Sequence, residues 1–195
     1  MYHDRDFSLL EHLLPPRPFV MDVGANRGQS VHSIKHARPN AVIHSFEPNP
    51  EFVNALESLR SAHDDVFFHN VGLGSQNGCV KFYIPVLNGI RYEEETTMRL
   101  EALNEPWVVE KFRERGGNVE FEVFEAKILC GDDFGFSPDL IKIDVEGVES
   151  EVVTGLLKTI KMHSPILMIE NGDWHRLHPI IVELGYRAMT TFPRF

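Results

Sequence analysis

A glycine loop preceded by an acid is the part of the sequence best suited to hold a reactive ligand. Gly24 and Gly28 lie four residues apart in the stretch FVMDVGANRGQS, and Asp22 comes just before them. Glycine lets the backbone approach a ligand closely, and a loop between a strand and a helix turns its amide groups toward that ligand. Because the carboxylate of Asp22 would repel a diphosphate, the stretch favours a ligand that carries an ammonium and a sulfonium group.

A second acid, Glu47, ends the next predicted strand, 19 residues after Gly28. An acid at this place can accept hydrogen bonds from both hydroxyls of an adenosine ribose. The alternative is a helix-capping or solvated carboxylate. The dinucleotide pattern G-x-G-x-x-G is not matched, since Asn26 stands at its second glycine and Gln29 at its third. A nicotinamide cofactor is therefore disfavoured, although fold alone does not exclude it.

Three charged residues alternate along a later predicted strand, in the run KIDVEG. Lys142, Asp144 and Glu146 are two positions apart, which puts their side chains on one face of the strand. A charged lysine in a central strand is costly unless an acid pairs with it. Two interpretations of Lys142 stay open: a part in catalysis, or an internal ion pair with Asp144 or with an acid on a neighbouring strand.

The predicted strands end in acids at one edge of the sheet, where ligands bind in open α/β folds. A rim of carboxylates suits a cationic ligand better than an anionic one. The same carboxylates could deprotonate a hydroxyl group, with Asp144 and Glu146 as first candidates and Glu170 or His175 as further ones. His175 is alternatively a surface residue of a helix. The acids at this edge are Asp22, Glu47, Asp144, Glu146 and Glu170.

A divalent cation is an alternative to a general base at this edge. Carboxylate and amide oxygens suit hard cations, and a bound cation lowers the pKa of a hydroxyl group. The spacing of the residues does not establish such a site, so no metal is predicted. The set that could surround a cation is Asp144, Glu146, Glu170, Asn171 and Asp173.

The elements that must position these residues alternate between short apolar runs and helical runs, which predicts a parallel sheet covered by helices. Residues 1–18 form an N-terminal segment, and residues 19–195 form one domain. Strands are predicted over 17–23, 41–48, 65–73, 138–147, 164–170 and 185–192, and helices over 29–37, 51–60, 148–160 and 174–184.

An insert of about residues 78–130 separates the third and fourth strands. Its ends, 79–85 and 118–130, alternate in hydropathy and predict an antiparallel pair. We expect residues 92–117 to shape a pocket for the second substrate, with Arg91, Tyr92 or Trp107 as contacts. Apolar residues at helical spacing indicate a buried packing stripe or a lid: Leu100, Leu103, Trp107, Val108 and Phe112.

Length, composition and charge exclude several classes of protein. The 195 residues, 43% of them hydrophobic, fit one domain, and 19 basic against 29 acidic residues give a net charge of −10. That charge disfavours nucleic acid as a partner. No apolar run predicts a membrane span or a signal peptide, so a cytoplasmic protein is expected. Cys79 and Cys130 have no metal-ligand spacing and are interpreted as reduced, inert thiols.

Four stretches together resemble the FkbM-type S-adenosylmethionine-dependent methyltransferases: FVMDVGANRGQS, HSFEPNPEFVNAL, LIKIDVEGVESEVVTGL and ILMIE. The resemblance covers about residues 19–186, and the run KIDVEGVE is its most specific part. It implies a class I methyltransferase Rossmann-like fold, a doubly wound and mostly parallel sheet with the β/helical insert between strands three and four. It also implies S-adenosylmethionine as the cofactor and O-methylation of a hydroxyl group on a small molecule or a sugar, and it leaves the oligomeric state open.

The resemblance also assigns roles to single residues. Asp22, Gly24, Asn26 and Gly28 would surround the methionine part of the cofactor, and Glu47 would hold the ribose. The remaining assignments are Asn70 and Val71 beside the adenine, Asp144 beside the methionine end and the methyl group, and Lys142, Asp144 and Glu146 as catalytic candidates.

Two departures from the family pattern stand out. The sequence has no obvious seventh strand, and CGDDF, residues 130–134, stands where the pattern has a leucine before the aspartate. Two other functions stay open: a nicotinamide-dependent oxidoreductase, and a nucleoside-binding module without turnover.

Overall fold

The computed structural model describes residues 2–93, 96–98, 119–170 and 172–189. In chain order the strands are β1 (Phe19–Val23), β2 (Val42–Phe46), β3 (Val66–His69), β4 (Gly72–Gly74), β5 (Gly78–Leu87), β6 (Ile90–Arg91), β7 (Val119–Cys130), β8 (Leu140–Ile143) and β9 (Ile166–Ile169). The helices are α1 (Leu10–Leu13), α2 (Gln29–Ala37), α3 (Val53–Ala62), α4 (Glu149–Thr154), α5 (Leu157–His163) and α6 (Trp174–Glu183). Short 3₁₀ turns span Arg5–Leu9, Pro50–Phe52 and Gly131–Phe134.

The central sheet consists of five parallel strands in the order β3-β2-β1-β8-β9. Helices cover both of its faces, which is why neighbouring residues of β1 are both fully buried. Val20 packs in one cluster with Ile34 and Leu56 of α2 and α3, whereas Met21 packs in the other with Val152 of α4. The predicted fold class, a doubly wound and mostly parallel sheet, is confirmed.

The strand order reverses at β1, because β1 pairs with β2 on one side and with β8 on the other. The helices that follow these strands therefore pass on opposite faces of the sheet. This divergence opens a crevice at the carboxyl ends of the strands, where ligands bind in such folds.

A second sheet has the order β4-β7-β5-β6. Its centre is the antiparallel pair β5 and β7, which extends over the residue pairs from Gly78↔Ile128 to Leu87↔Val119. The pairing predicted for the two ends of the insert is confirmed. The predicted apolar stripe in the middle of the insert lies outside the described residues.

The third predicted strand, residues 65–73, is in fact two strands that belong to different sheets. β3 ends at His69 and pairs with β2, whereas β4 begins at Gly72 and pairs with β7. A turn separates them, closed by the hydrogen bond from the Val71 amide to the His69 carbonyl oxygen at 2.8 Å. An apolar run therefore shows that a segment is extended but does not show which strand it joins.

Two further predictions about elements are wrong. The helix predicted over 148–160 is divided into α4 and α5 at Gly155, whose backbone packs so closely on β4 that a Cβ there would lie 1.9 Å from the Gly74 carbonyl oxygen. The last predicted strand does not form over residues 185–189, and residues 190–192 lie outside the described chain. Gly185, with φ +83°, ends α6 in a turn instead.

The CGDDF stretch forms the 3₁₀ turn Gly131–Phe134, and its first aspartate caps a helix. The carboxylate of Asp132 accepts hydrogen bonds from the amides of Lys158 and Thr159 at 3.0 and 2.8 Å. These are amides of the first turn of α5 that have no partner within the helix. The aspartate of this stretch therefore caps α5.

The N-terminal segment belongs to the same core as the sheet. Phe7, Leu10 and Leu14 are buried in the cluster that contains Val31 and Ile34 of α2. None of the helices in the described part of the chain is long and apolar enough to cross a membrane.

Candidate active site

A cavity of about 300 Å³ lies at the carboxyl ends of β1, β2 and β8, between the central sheet and the second sheet. The central sheet contributes Gly24, Asn26 and Glu47 to its wall, and β5 and β7 contribute Phe82 and Phe124 on the opposite side. This volume lies at the lower end of the range for small-molecule sites, about 300–1,000 Å³. The crevice that the strand order predicts is therefore a partly open site with walls from both sheets.

Glycine is needed at the two positions of the loop for different structural reasons. Gly24 lines the cavity at φ +77°, and a Cβ there would lie 1.8 Å from the backbone oxygen of Asp144. Gly28 precedes α2 at φ +89°, and a Cβ there would lie 2.1 Å from Cδ1 of Leu59. Gly24 therefore shapes the ligand side of the loop, whereas Gly28, outside the cavity wall, allows α3 to pack against the loop.

The loop is held against the end of β2 by backbone hydrogen bonds. The amides of Gly24 and Ala25 both donate to the carbonyl oxygen of Phe46, at 2.9 and 3.2 Å. Asn26 adopts φ +49°, and its amide points to the Glu47 carboxylate. The loop is thus ordered by contacts that leave its cavity-facing side available.

Glu47 is a buried acid whose carboxylate is fixed in the cavity wall. Its two oxygens accept hydrogen bonds from the amides of Asn26 at 2.9 Å and Asn49 at 2.8 Å. Burial raises the pKa of Glu47, while the two amide hydrogen bonds act in the opposite direction. Each carboxylate oxygen keeps a second lone pair, so the group can still accept hydrogen bonds from two neighbouring hydroxyls.

Asn70 and Val71, assigned to the adenine, stand behind the wall rather than in it. The Asn70 side-chain amide donates to the Glu47 carbonyl oxygen at 2.9 Å. Their neighbours Gly72 and Leu73 line the cavity instead, together with Pro48. Sequence reasoning missed these wall residues because their position depends on the chain leaving the central sheet after β3.

Asp22 is completely buried beneath the glycine loop and is not part of the cavity wall. One of its oxygens accepts hydrogen bonds from the hydroxyls of Ser30 and Ser45, at 2.7 and 3.2 Å. The other lies 3.5 Å from Nζ of Lys142. A ligand in the cavity would therefore not touch Asp22 and would meet only its charge at a distance.

Lys142 joins three parts of the site. Its Nζ donates to the carbonyl oxygen of Gly24 at 2.7 Å and lies 3.5 Å from carboxylate oxygens of both Asp22 and Asp144. Its side chain is 6% exposed, so the charge is compensated inside the protein. The geometry supports the internal ion-pair interpretation, with both proposed kinds of partner present at once.

Three carboxyl groups meet at the end of β8 and β9. One oxygen each of Asp144, Glu146 and Glu170 lie within 4.8 Å of one another. Asp144 and Glu170 are hydrogen-bonded, which requires a proton on one of them. Burial alone would raise the pKa of Asp144, but Lys142 and Glu170 outweigh it and lower that pKa. Burial and then Asp144 raise the pKa of Glu170 to about 8, which places the shared proton on Glu170.

The same three oxygens are close enough to bind one divalent cation. Of the other two residues considered for a cation, Asn171 lies outside the described residues. Asp173 is buried and accepts a hydrogen bond from the Ser150 hydroxyl instead.

Three of the remaining sequence candidates, His175, Arg91 and Tyr92, are not among the residues that line the cavity. His175 is exposed on α6, and Tyr92 packs against Leu87. Arg91 forms ion pairs with acids around it, and Trp107 lies outside the described residues. The wall from this region is built by residues that sequence reasoning did not single out: Glu93, Thr96 and Met98.

Comparison with known proteins agrees with this architecture. A family model described as "Methyltransferase FkbM domain" matches residues 22–188. The chain is 32% identical over 188 residues to "Methyltransferase sdnD" of Sordaria araneosa, and 25% identical over 158 residues to "2-O-methyltransferase NoeI" of Sinorhizobium fredii. These matches cover 87% and 81% of this chain but 67% and 64% of the relatives, so the chain spans about two thirds of their length.

A solved structure of the methyltransferase FkbM from Methylobacillus flagellatus KT superimposes with a TM-score of 0.63 at 19% identity. The superposition covers 94% of this chain and 43% of that chain. At this identity the similarity shows a common fold.

Proposed function

Because this chain belongs to the FkbM methyltransferase family, we propose that it transfers the methyl group of S-adenosylmethionine to a hydroxyl oxygen of a small molecule or a sugar. The observation that carries the proposal is one cavity with the fixed carboxylate of Glu47 on its wall and the Asp144 carboxyl group at the end of β8. The name of one relative, a 2-O-methyltransferase, supports oxygen as the methylated atom.

The residues present fit a nucleoside cofactor. Glu47 is pre-positioned by two amides and offers two acceptor oxygens of the kind that a ribose diol requires. Gly24 removes the side chain that would otherwise separate the loop from the end of β8. The acids of the wall suit the positive charge of a sulfonium, which the cofactor would bring together with an electrophilic methyl group.

In the proposed reaction the protein aligns the acceptor hydroxyl and removes its proton. Alignment of the reacting atoms supplies much of the rate enhancement in such a transfer. Asp144, whose pKa is lowered, is ionised at neutral pH and can accept a hydrogen bond or the proton from the hydroxyl group. Glu146 is exposed at the mouth and can pass that proton to solvent. Lys142 acts as a positioning residue that fixes Asp144 relative to the Gly24 backbone.

The test begins with calorimetric binding of S-adenosylmethionine and of NADH. We expect the wild type to bind S-adenosylmethionine and not NADH. In Glu47→Gln the affinity for S-adenosylmethionine should fall by more than about tenfold, because the side chain loses its negative charge and one of its two acceptor oxygens. Glu57→Gln is the matched control, because Glu57 is an exposed acid of α3. Binding of NADH alone would overturn the proposal in favour of an oxidoreductase.

Turnover is then measured with methyl-labelled cofactor and a panel of hydroxylated acceptors, for the wild type and for Asp144→Asn. A labelled ether product that depends on Asp144 supports the proposal. Tight cofactor binding with no labelled product from any acceptor would instead support a nucleoside-binding module. Parallel reactions with a chelator and with Mg²⁺ separate a carboxylate base from a metal-assisted reaction.

A further inference from the structure

A short arm of the second sheet closes one side of the cavity. The arm consists of residues 90–93 and 96–98, and its Glu93, Thr96 and Met98 line the cavity. It is attached to β5 by backbone hydrogen bonds, from the Tyr92 amide to the Pro85 carbonyl oxygen at 2.8 Å and between Thr97 and Tyr83 at 2.9 and 3.1 Å. These contacts fix the arm to its own sheet but not to the glycine loop.

The glycine loop reaches the arm through Arg27. Its guanidinium forms an ion pair with Glu93 and lies 4.9 Å from the centre of the Phe52 ring. The ring holds the guanidinium in place by a cation–π contact, at the start of α3. One side chain of the loop thus connects the two walls of the cavity.

The carboxylate of Glu93 also lies near a second positive charge, that of Arg91 in the arm itself. A terminal nitrogen of Arg91 lies 3.7 Å from the Glu93 carboxylate and 3.4 Å from that of Glu51, and Nε of Arg91 lies 3.0 Å from Glu122. The Glu93 side chain is 19% exposed, so its charge is compensated from two directions at the edge of the cavity. Its orientation is therefore defined by Arg27 and Arg91 together.

We propose that Arg27 is a positioning residue for the methyl acceptor, because it links the arm to the glycine loop. The arm lines the cavity through Glu93, Thr96 and Met98, and the loop lines it through Gly24 and Asn26. This inference rests on the proposed function. A methyl transfer needs the acceptor oxygen in line with the methyl group, so the arm and the glycine loop must keep a fixed distance and orientation. Two ion pairs provide that relation where the backbone does not: Arg27–Glu93 from the glycine loop, and Arg91–Glu51 from the arm to the start of α3.

The first test measures hydrogen exchange of the arm amides by mass spectrometry, without any ligand. In Arg27→Met we expect the peptide containing Tyr92 and Thr97 to exchange about fivefold faster, the size of effect that a partly exposed ion pair gives. Arg60→Met is the matched control, because Arg60 forms an exposed ion pair with Glu57 on α3. Wild-type exchange in 1 M salt should approach that of Arg27→Met, since salt screens the pair.

The second test compares kinetic constants once an acceptor has been found in the panel. Arg27→Met should raise KM for the acceptor about fivefold and leave the Kd of S-adenosylmethionine within about twofold. Arg27→Lys should recover part of the loss. Glu93→Gln should reproduce at least this loss, because it removes the contact with Arg27 and the longer one with Arg91. The double variant should be no worse than Glu93→Gln alone, because Glu93→Gln already lacks the Arg27 contact.

Arm exchange that is unchanged in Arg27→Met, or equally changed in Arg60→Met, would overturn the inference. A loss of cofactor affinity that accounts for the whole kinetic effect would also overturn it, by assigning Arg27 to the cofactor. Failure of the proposed function looks different: S-adenosylmethionine does not bind to the wild type, while arm exchange still reports whether Arg27 holds the arm.

Discussion

At the scale of single residues, the charges around Asp144 depend on one another. Lys142 compensates Asp22 and Asp144, and a proton on Glu170 allows its carboxyl group to lie against Asp144. The sequence could predict that acids meet at this edge, because they follow predicted parallel strands. It could not predict that Lys142 also binds the Gly24 carbonyl oxygen, since that contact depends on the register between β1 and β8.

The shared proton predicts how stability changes with pH. Folded Glu170 keeps its proton up to about pH 8, whereas a glutamic acid in the unfolded chain loses it near its ordinary pKa of 4.5. Between these values the folded state binds more protons than the unfolded state, so the free energy of unfolding falls as pH rises. Glu170→Gln cannot ionise, and its free energy of unfolding relative to the wild type should therefore increase from pH 6 to pH 9.

Urea denaturation at several pH values measures this difference. Glu57→Gln is the control, because it removes an exposed acid from the same protein. Identical pH dependence of Glu170→Gln and the wild type would show that Glu170 is ionised in the folded state.

At the scale of elements, periodicity predicted the strands and helices of the central sheet but not where each run is interrupted. Residues 65–73 are divided between β3 and β4, and residues 148–160 between α4 and α5. Both interruptions lie where the chain contacts the second sheet, including the contact of Gly155 with Gly74. Such contacts override local preference and join residues distant in sequence.

The glycine loop gives a prediction at this scale. In Gly24→Ala the new Cβ would collide with the backbone of Asp144, so we expect a loss of about 1–3 kcal/mol of stability and more than tenfold weaker binding of S-adenosylmethionine. Gly135→Ala is the matched control, because Gly135 has φ +62° but a methyl group added there would meet nothing within 4 Å. Thermal unfolding and calorimetry measure the two effects.

In Gly135→Ala we expect backbone strain to lower the free energy of unfolding by about 1–2 kcal/mol, with unchanged affinity for S-adenosylmethionine. Equal effects of the two variants on affinity would mean that the close approach of the loop to Asp144 does not matter for binding.

At the scale of the whole molecule, the N-terminal segment extends the core beyond the residues that match the family. Phe7 and Leu10 are 3% and 2% exposed, whereas Leu13 in the same segment is 50% exposed. The sequence could not predict this, because the segment is too short for a clear periodic pattern and its burial depends on α2.

Substitutions in the segment test its part in folding. Phe7→Ala should lower the free energy of unfolding by about 3–5 kcal/mol, as a large buried side chain is lost. Leu13→Ala, the control, should change it by less than about 0.5 kcal/mol. Equal, small effects in urea denaturation would show that the segment does not pack on the core in solution.

The long pairing of β5 with β7 bears on how related enzymes could diverge in what they methylate. Ten residue pairs join the two strands, from Gly78↔Ile128 to Leu87↔Val119, on either side of residues 88–118. Because this pairing does not depend on residues 88–118, changes in those residues need not break the parallel sheet. Under the proposed function, a new acceptor preference would then arise by changes in residues 88–118, while Gly24 and Glu47 on the cofactor side of the cavity stay the same.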